Sequence, residues 1–286
     1  MNNHNRVFIT ECPRDAMQGL KDWIETSDKI SYLNHLLKCG FDTLDFGSFV
    51  SPKAIPQMQD TAKVLEGLDE SETKLSAIIV NERGAEDAAR FDRIHYLAYP
   101  FSISETFQLR NTNATIEESL KRVEAIANIC HKENKELTLY LSMGFGNPYG
   151  DAWSPDLIGT WSERLTQLFE VSRLSLSDTI GIATPELVNS VFSTISTEFT
   201  NIQISAHLHT VPENAVSLTE AAYNGGCRYF EGAIKGYGGC PMAKDDLTGN
   251  MPTERMLDWF KEQGIETGVK PTEFTEAFVT SSRIFH

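Results

Sequence analysis

The chain lacks the cysteine spacing of a disulfide scaffold or a zinc ribbon. Its five cysteines, Cys12, Cys39, Cys130, Cys227 and Cys240, are scattered over 286 residues without a C-x-x-C pair. They are too few to staple a chain this long and point to a reducing cytoplasm. Basic charge is scarce as well: 25 Lys and Arg stand against 40 Asp and Glu, a formal charge of −15, which argues against nucleic acid or an anionic membrane as the main partner. Long apolar runs are missing. The opening M-N-N-H-N-R is polar and the longest hydrophobic stretches are strand-sized, so neither a signal peptide nor a membrane span is expected. No linker or shift in composition divides the sequence, and no internal repeat suggests a solenoid.

What remains is a regular alternation of short β-rich runs and longer helical patterns. Strands are expected at Val7–Cys12, Thr43–Ser48, Lys74–Val80, Arg93–Pro100, Leu137–Met143, Arg173–Asp178, Gln203–His209 and Arg228–Ile234. Helices are expected over Ser27–Lys38, Ala85–Arg90, Ile116–His131, Leu157–Phe169, Pro185–Phe199, Pro212–Asn224 and Glu254–Gln263. Cap-like residues open several of these, namely Thr115, Ser154-Pro155 and Thr184-Pro185. About eight strands alternating with helices suit a closed (β/α)₈ TIM barrel in one α/β domain. The C-terminal segment, about 251–286, then packs as the last helices. A doubly wound open sheet allows the same alternation, but its G-x-G-x-x-G fingerprint does not follow the first strand.

Polar residues gather where these strands end: Arg14-Asp15 after the first, Asp45 and Ser48 in the second, Asp178 at the sixth, His207 and His209 at the seventh. In a barrel this is the catalytic face. His207 and His209 are two apart on a strand, so both rings point to one side and can share an ion. Asp15 would reach them across the barrel mouth and add a carboxylate. Two imidazoles and a carboxylate suit Mg, Mn, Co or Zn, with oxygen-rich completion favouring Mg or Mn. A further feature is K-G-Y-G-G-C-P-M-A-K-D-D-L-T-G-N, Lys235 to Asn250, which sets a lone Cys240 in a glycine-rich segment after an expected strand.

The segments E-C-P-R-D-A-M-Q (Glu11–Gln18), S-F-V-S-P-K-A-I-P-Q-M-Q-D (Ser48–Asp60), S-D-T-I-G-I-A-T-P (Ser177–Pro185), A-H-L-H (Ala206–His209) and G-Y-G-G-C-P-M-A (Gly236–Ala243) together resemble 3-hydroxy-3-methylglutaryl-CoA lyase, in that family's order and over nearly the whole chain. The resemblance implies a TIM barrel that cleaves a tertiary alcohol thioester to acetyl-CoA and acetoacetate with a divalent metal. It implies Asp15, His207, His209 and Asn250 as metal ligands, Arg14 as the residue stabilising charge on the thioester oxygen, and Cys240 as the catalytic thiol. Asp178 matches the aspartate of S-x-x-D-T and Asp45 stands where the family has glutamate. For the CoA moiety of an acyl-CoA substrate, Lys53 and Arg110 are the candidate contacts. A homodimer or larger homo-oligomer is implied too.

The sequence departs from that pattern at named places. Thr10 replaces a glutamate four positions before Arg14, and the adjacent Glu11 falls on the other strand face. Ala16 replaces a glycine and Thr210 an aspartate, while the spacing from Cys240 to Asn250 is one residue longer. A lyase acting on another 3-hydroxyacyl-CoA, an acetyl-CoA-dependent condensing enzyme of the isopropylmalate synthase type and a non-catalytic metal-binding barrel are the alternative readings.

Overall fold

The computed structural model describes residues 5–239 and 248–285. Eight parallel strands follow one another around a closed barrel: β1 (Phe8–Glu11), β2 (Thr43–Ser48), β3 (Lys74–Ile78), β4 (Ile94–Ser102), β5 (Glu136–Ser142), β6 (Arg173–Asp178), β7 (Gln203–Leu208) and β8 (Tyr229–Gly232). Closure comes from β1 pairing with β8, Phe8 opposite Tyr229 through Glu11 opposite Gly232. The TIM barrel expected from the alternation is thus the fold observed, and the open sheet is excluded.

Local chemistry accounts for the helices between strands. Thr115 and Glu118 form a capping box that starts Ile116–Lys132. The Ser154 and Thr184 hydroxyls accept from the amides of Leu157 and Leu187 and start Pro155–Phe169 and Pro185–Glu198, each with proline in its first turn. The C-terminal region supplies Thr253–Glu262 and Pro271–Ile284. Phe274 and Phe285 of that region meet Phe41 and Tyr32 edge-on, so the last helix packs against the first part of the chain.

Among the described residues three α-helices fall outside the sequence expectation, Pro13–Gln18, Thr61–Glu66 and Glu105–Thr112. The first carries Arg14 and Asp15, which follow β1 as expected but lie on a six-residue helix that begins after Cys12, with Pro13 at its first position. Ala16 sits inside this helix, in a conformation open to any residue.

Alternate residues of each strand enter two different environments. Ile9, Leu44, Leu97, Leu139, Leu141, Leu176, Ile204 and Phe230 belong to the main hydrophobic core, shared with the surrounding helices. Their neighbours Thr10, Ser76, Thr138, Tyr140, Ser205 and Glu231 line a cavity of about 990 Å³ that opens at the N-terminal ends of the strands. The apolar content of the inside is small, a cluster of Ile78, Ala98 and Tyr140 with Val50 against it. Residues two apart share a face, so the interior of this barrel is polar by construction.

Candidate active site

At the C-terminal ends of the strands, the short helix Pro13–Gln18 presents Arg14, Asp15 and Gln18 together, as spacings of three and four allow. Arg14 donates to both Asp45 oxygens, from Nε at 3.2 Å and from Nη2 at 2.5 Å. Its Nη1 donates to Asp15 Oδ1 and Gln18 Oε1, both at 3.0 Å. Four of the five guanidinium N–H groups are thereby engaged. Burial pushes Asp45 up to about 6, with Arg14 opposing. For Asp15 burial also acts upward, but Arg14, then His207 and His209, outweigh it and hold the carboxyl below its ordinary value.

On β7 and just beyond it, His207 and His209 point the same way, their ring centroids 5.3 Å apart. His209 Nε2 lies 3.9 Å from Asp15 Oδ2. Asp15, His207 and His209 can offer one ligand atom each within 4.8 Å of one another. Both His209 nitrogens are buried without a hydrogen-bond partner, an arrangement that costs free energy unless something binds there. Burial, with the neighbouring His207, lowers His209 to about 4, so the ring is neutral, the form that ligates metal. These donors fit a divalent cation.

Asn250 reaches the same cluster by a different route. Thr210 donates its N–H to Gly249 and Met251 to Leu208, which lays residues 249–251 along the end of β7, with Asn250 opposite His209. Its amide nitrogen donates to Asp15 Oδ2 at 2.8 Å and to the Tyr237 carbonyl at 2.9 Å. As found, Asn250 orients Asp15 with its nitrogen. Gly238 is required nearby: its φ is +97°, and a side chain there would meet Asn250 Nδ2 at 2.7 Å and the Asp15 carbonyl at 2.8 Å.

Arg14, Asp15, Gln18, His207 and His209 form one wall of a cavity of about 160 Å³. Arg14, Asp15, Tyr140, Ser142, Ser177, Thr179, His207 and His209 make its polar side; Ile55, Ile78, Val80, Pro100 and Phe107 make its apolar side. The cavity at the opposite mouth is larger, yet the convergent ionisable groups are here, and chemistry identifies a site better than volume.

The remaining expected residues are not all brought in. Asp178 is buried, but its oxygens accept the backbone N–H groups of Gly181 at 3.0 Å and Ala183 at 2.8 Å, and Ser177 and Thr179 line the cavity in its place. Asp178 follows Leu174 and Leu176 on the outward face of β6. Lys53 is exposed in the turn beside Ala54 and Ile55 of the cavity. Arg110 is exposed too, its guanidinium 4.7 Å from the Tyr149 ring centre, on the helix that gives Phe107 and Asn111 to the cavity. Cys240 lies outside the described residues.

Sequence reasoning missed Gln18, Tyr140 and Glu231. Gln18 donates to Asp15 Oδ1 at 2.5 Å, and its position three beyond Asp15 was a usable signal once a helix was recognised. Glu231 lies 3.1 Å from His207 Nδ1, a relation set by the register of β7 and β8, which makes the two residues partners.

Relatives share this architecture. The HMGL-like family model matches residues 7–279. A hydroxymethylglutaryl-CoA lyase of Bacillus subtilis is 35% identical over 267 residues, 93% of this chain and 88% of the relative. A 3-hydroxy-3-isohexenylglutaryl-CoA/hydroxy-methylglutaryl-CoA lyase of Pseudomonas aeruginosa is 32% identical over 271 residues, covering 94% and 89%. Among solved structures, an HMG-CoA lyase from Acinetobacter baumannii in complex with coenzyme A and 3-methylmalate superposes with a TM-score of 0.91 at 28% identity, covering 98% of this chain and 92% of the other. A family match over nearly the whole chain, carried by a barrel with its ionisable cluster at the expected mouth, makes this protein a member of the HMGL-like family.

Proposed function

We propose that this protein cleaves 3-hydroxy-3-methylglutaryl-CoA to acetyl-CoA and acetoacetate by a retro-Claisen step that depends on a divalent cation, magnesium or manganese, with cobalt and zinc compatible with the same donors. The observation that carries the reading is the convergence of Asp15, His207 and His209 beside a fixed guanidinium in one cavity. Asp15, His207 and His209 would hold the ion, with Asn250 beside them as the fourth ligand implied by resemblance. When bound, the ion supplies Lewis acidity to the substrate hydroxyl and carboxylate.

The difficulty of the reaction is the enolate left on the acetyl thioester. Arg14 answers it with a cation whose orientation is fixed by two hydrogen bonds to Asp45. A charge already in place where negative charge develops costs no reorganisation. Asp45 is then an orienting residue. Asp178 takes no part at the substrate hydroxyl: it is committed to the amides of Gly181 and Ala183 and is absent from the cavity walls. Cys240 is the proposed acid for the enolate carbon, on the strength of the G-G-C-P resemblance. Lys53 and Arg110 are the proposed contacts for CoA phosphates.

The reading extends to a reducing, cytoplasmic setting and a homo-oligomer. In favour of the first, Cys12, Cys39, Cys130 and Cys227 are buried free thiols. No helix among the described residues is long and apolar enough to cross a membrane.

The deciding experiment incubates purified protein, with bound Mg or Mn confirmed, with 3-hydroxy-3-methylglutaryl-CoA and measures acetoacetate. Release is expected. Acetoacetate no higher than in a heat-killed control would sink the proposal.

A further inference from the structure

We infer that Glu231 is a positioning residue for the cation site: it fixes His207 in the tautomer that carries hydrogen on Nδ1 and leaves Nε2 as the nitrogen free to ligate. This rests on Asp15, His207 and His209 being the cation site, and concerns which nitrogen of His207 is prepared for it.

Glu231 stands on β8 inside the barrel and is almost fully buried. Its Oε1 accepts from Ser175 Oγ at 2.7 Å and Ser205 Oγ at 2.5 Å. Its Oε2 accepts from Tyr140 Oη at 2.9 Å and lies 3.1 Å from His207 Nδ1. A carboxylate offers about four acceptor positions and no donor. Three are taken by hydroxyls from β5, β6 and β7, so the fourth contact requires a hydrogen on Nδ1. In the neutral form that ligates metal the imidazole has only one such hydrogen, hence Nε2 is bare. Tyr140 restrains the ring as well, meeting it edge-on at 5.3 Å and 87°.

Among the described residues, β1 supplies no second carboxylate for this task. Thr10 is the register partner of Glu231 and stands where the lyases this chain resembles have glutamate. Glu11 is turned away, accepting from the Ile234 amide at 2.8 Å and Thr253 Oγ1 at 2.6 Å. Cys12, His207 and Glu231 also lie close enough to hold an ion themselves. An ion there would have to displace donors from a carboxylate whose four positions are filled, whereas the positioning role keeps every one of those hydrogen bonds.

The test reads the tautomer and the metal separately from turnover. In metal-free protein labelled with ¹⁵N-histidine and brought to a pH at which the ring is neutral, the resonances missing from His207→Ala identify His207, and the Nδ1–H pattern is expected. Mn²⁺ affinity, followed by electron paramagnetic resonance, should fall about 10- to 100-fold in Glu231→Leu. In Glu231→Gln the loss should be smaller, because the amide oxygen can still accept from Nδ1. An Nε2–H pattern in the wild-type protein would overturn the inference without any variant. Folded Glu231→Leu that binds Mn²⁺ within twofold of wild type would overturn it too. Protein that binds Mn²⁺ tightly in this way yet releases no acetoacetate would contradict the lyase reading and leave the role of Glu231 standing.

Discussion

The two faces of the same eight strands make an instructive contrast. Outward, β6 places Leu174 and Leu176 in the apolar core; inward, it places Ser175 and Ser177 toward the barrel axis, Ser175 on Glu231 and Ser177 on the front cavity. Parallel strands buried on both sides usually read as continuous apolar runs, and TIM barrels usually fill their centre with branched side chains. Here the outer face carries stability and the inner face carries ordered polarity. The inner groups are admissible because they are paired: Glu231 accepts from three strands and Asp45 receives the guanidinium of Arg14.

Three substitutions can break that division. The largest effect is expected for Arg14→Met, which strands Asp45 as a buried carboxylate without its counter-charge. Breaking such a pair costs about 3–5 kcal/mol, and losing a charge-stabilising group costs about 10²–10³ in turnover. Urea unfolding beside acetoacetate release measures both; a stable variant with normal turnover would mean the inner pair does neither job. Next comes Leu176→Ala, expected to lose about 2–5 kcal/mol of stability while the folded fraction keeps wild-type Mn²⁺ affinity. Ser175→Ala, one residue away on the other face, should cost only about 1 kcal/mol. Equal losses from the two would erase the distinction.

The smallest effect sharpens the contrast through an exception, since Glu11 is a carboxyl on the outward side. Burial raises it from its ordinary 4.5 to about 8, against hydrogen bonds from Thr253 and Ile234. The folded protein therefore holds this proton more tightly than the unfolded chain. The stability it contributes is complete below about pH 4.5 and is lost as pH rises through about 8, with a slope of at most about 1.4 kcal/mol per pH unit. Glu11→Gln, which keeps the shape and stays neutral, should flatten that decline. Identical slopes for the two proteins in unfolding measured from pH 5 to 8 would remove Glu11 as its cause.

Much of this was legible before the structure. The bounds of β2 and β6 match the expected strands residue for residue, and the caps at Thr115, Ser154 and Thr184 are formed. The pairing of two histidines on one face followed from strand period alone. The helix Pro13–Gln18 did not, because six residues are too few to show a helical period. Asp178 is different: L-S-L-S-D already assigns it the phase of the leucines, away from the cavity, so that signal was present and overlooked. Glu231 was beyond reach. Nothing in Y-F-E-G announces a partner on β5, β6 and β7, and only the closed barrel brings those hydroxyls to it.

The backbone pairing of residues 249–251 with the end of β7 frees Asn250 from its distance along the sequence. Asn250 takes its position from the amides and carbonyls of Leu208, Thr210 and Gly249, and Gly238 is held just as closely on the other side, against Asp15. Both ends of the intervening segment are therefore tied to the ligand cluster by their own contacts. Asn250 is thus positioned by the end of β7, and counting residues from Cys240 misjudges where it falls.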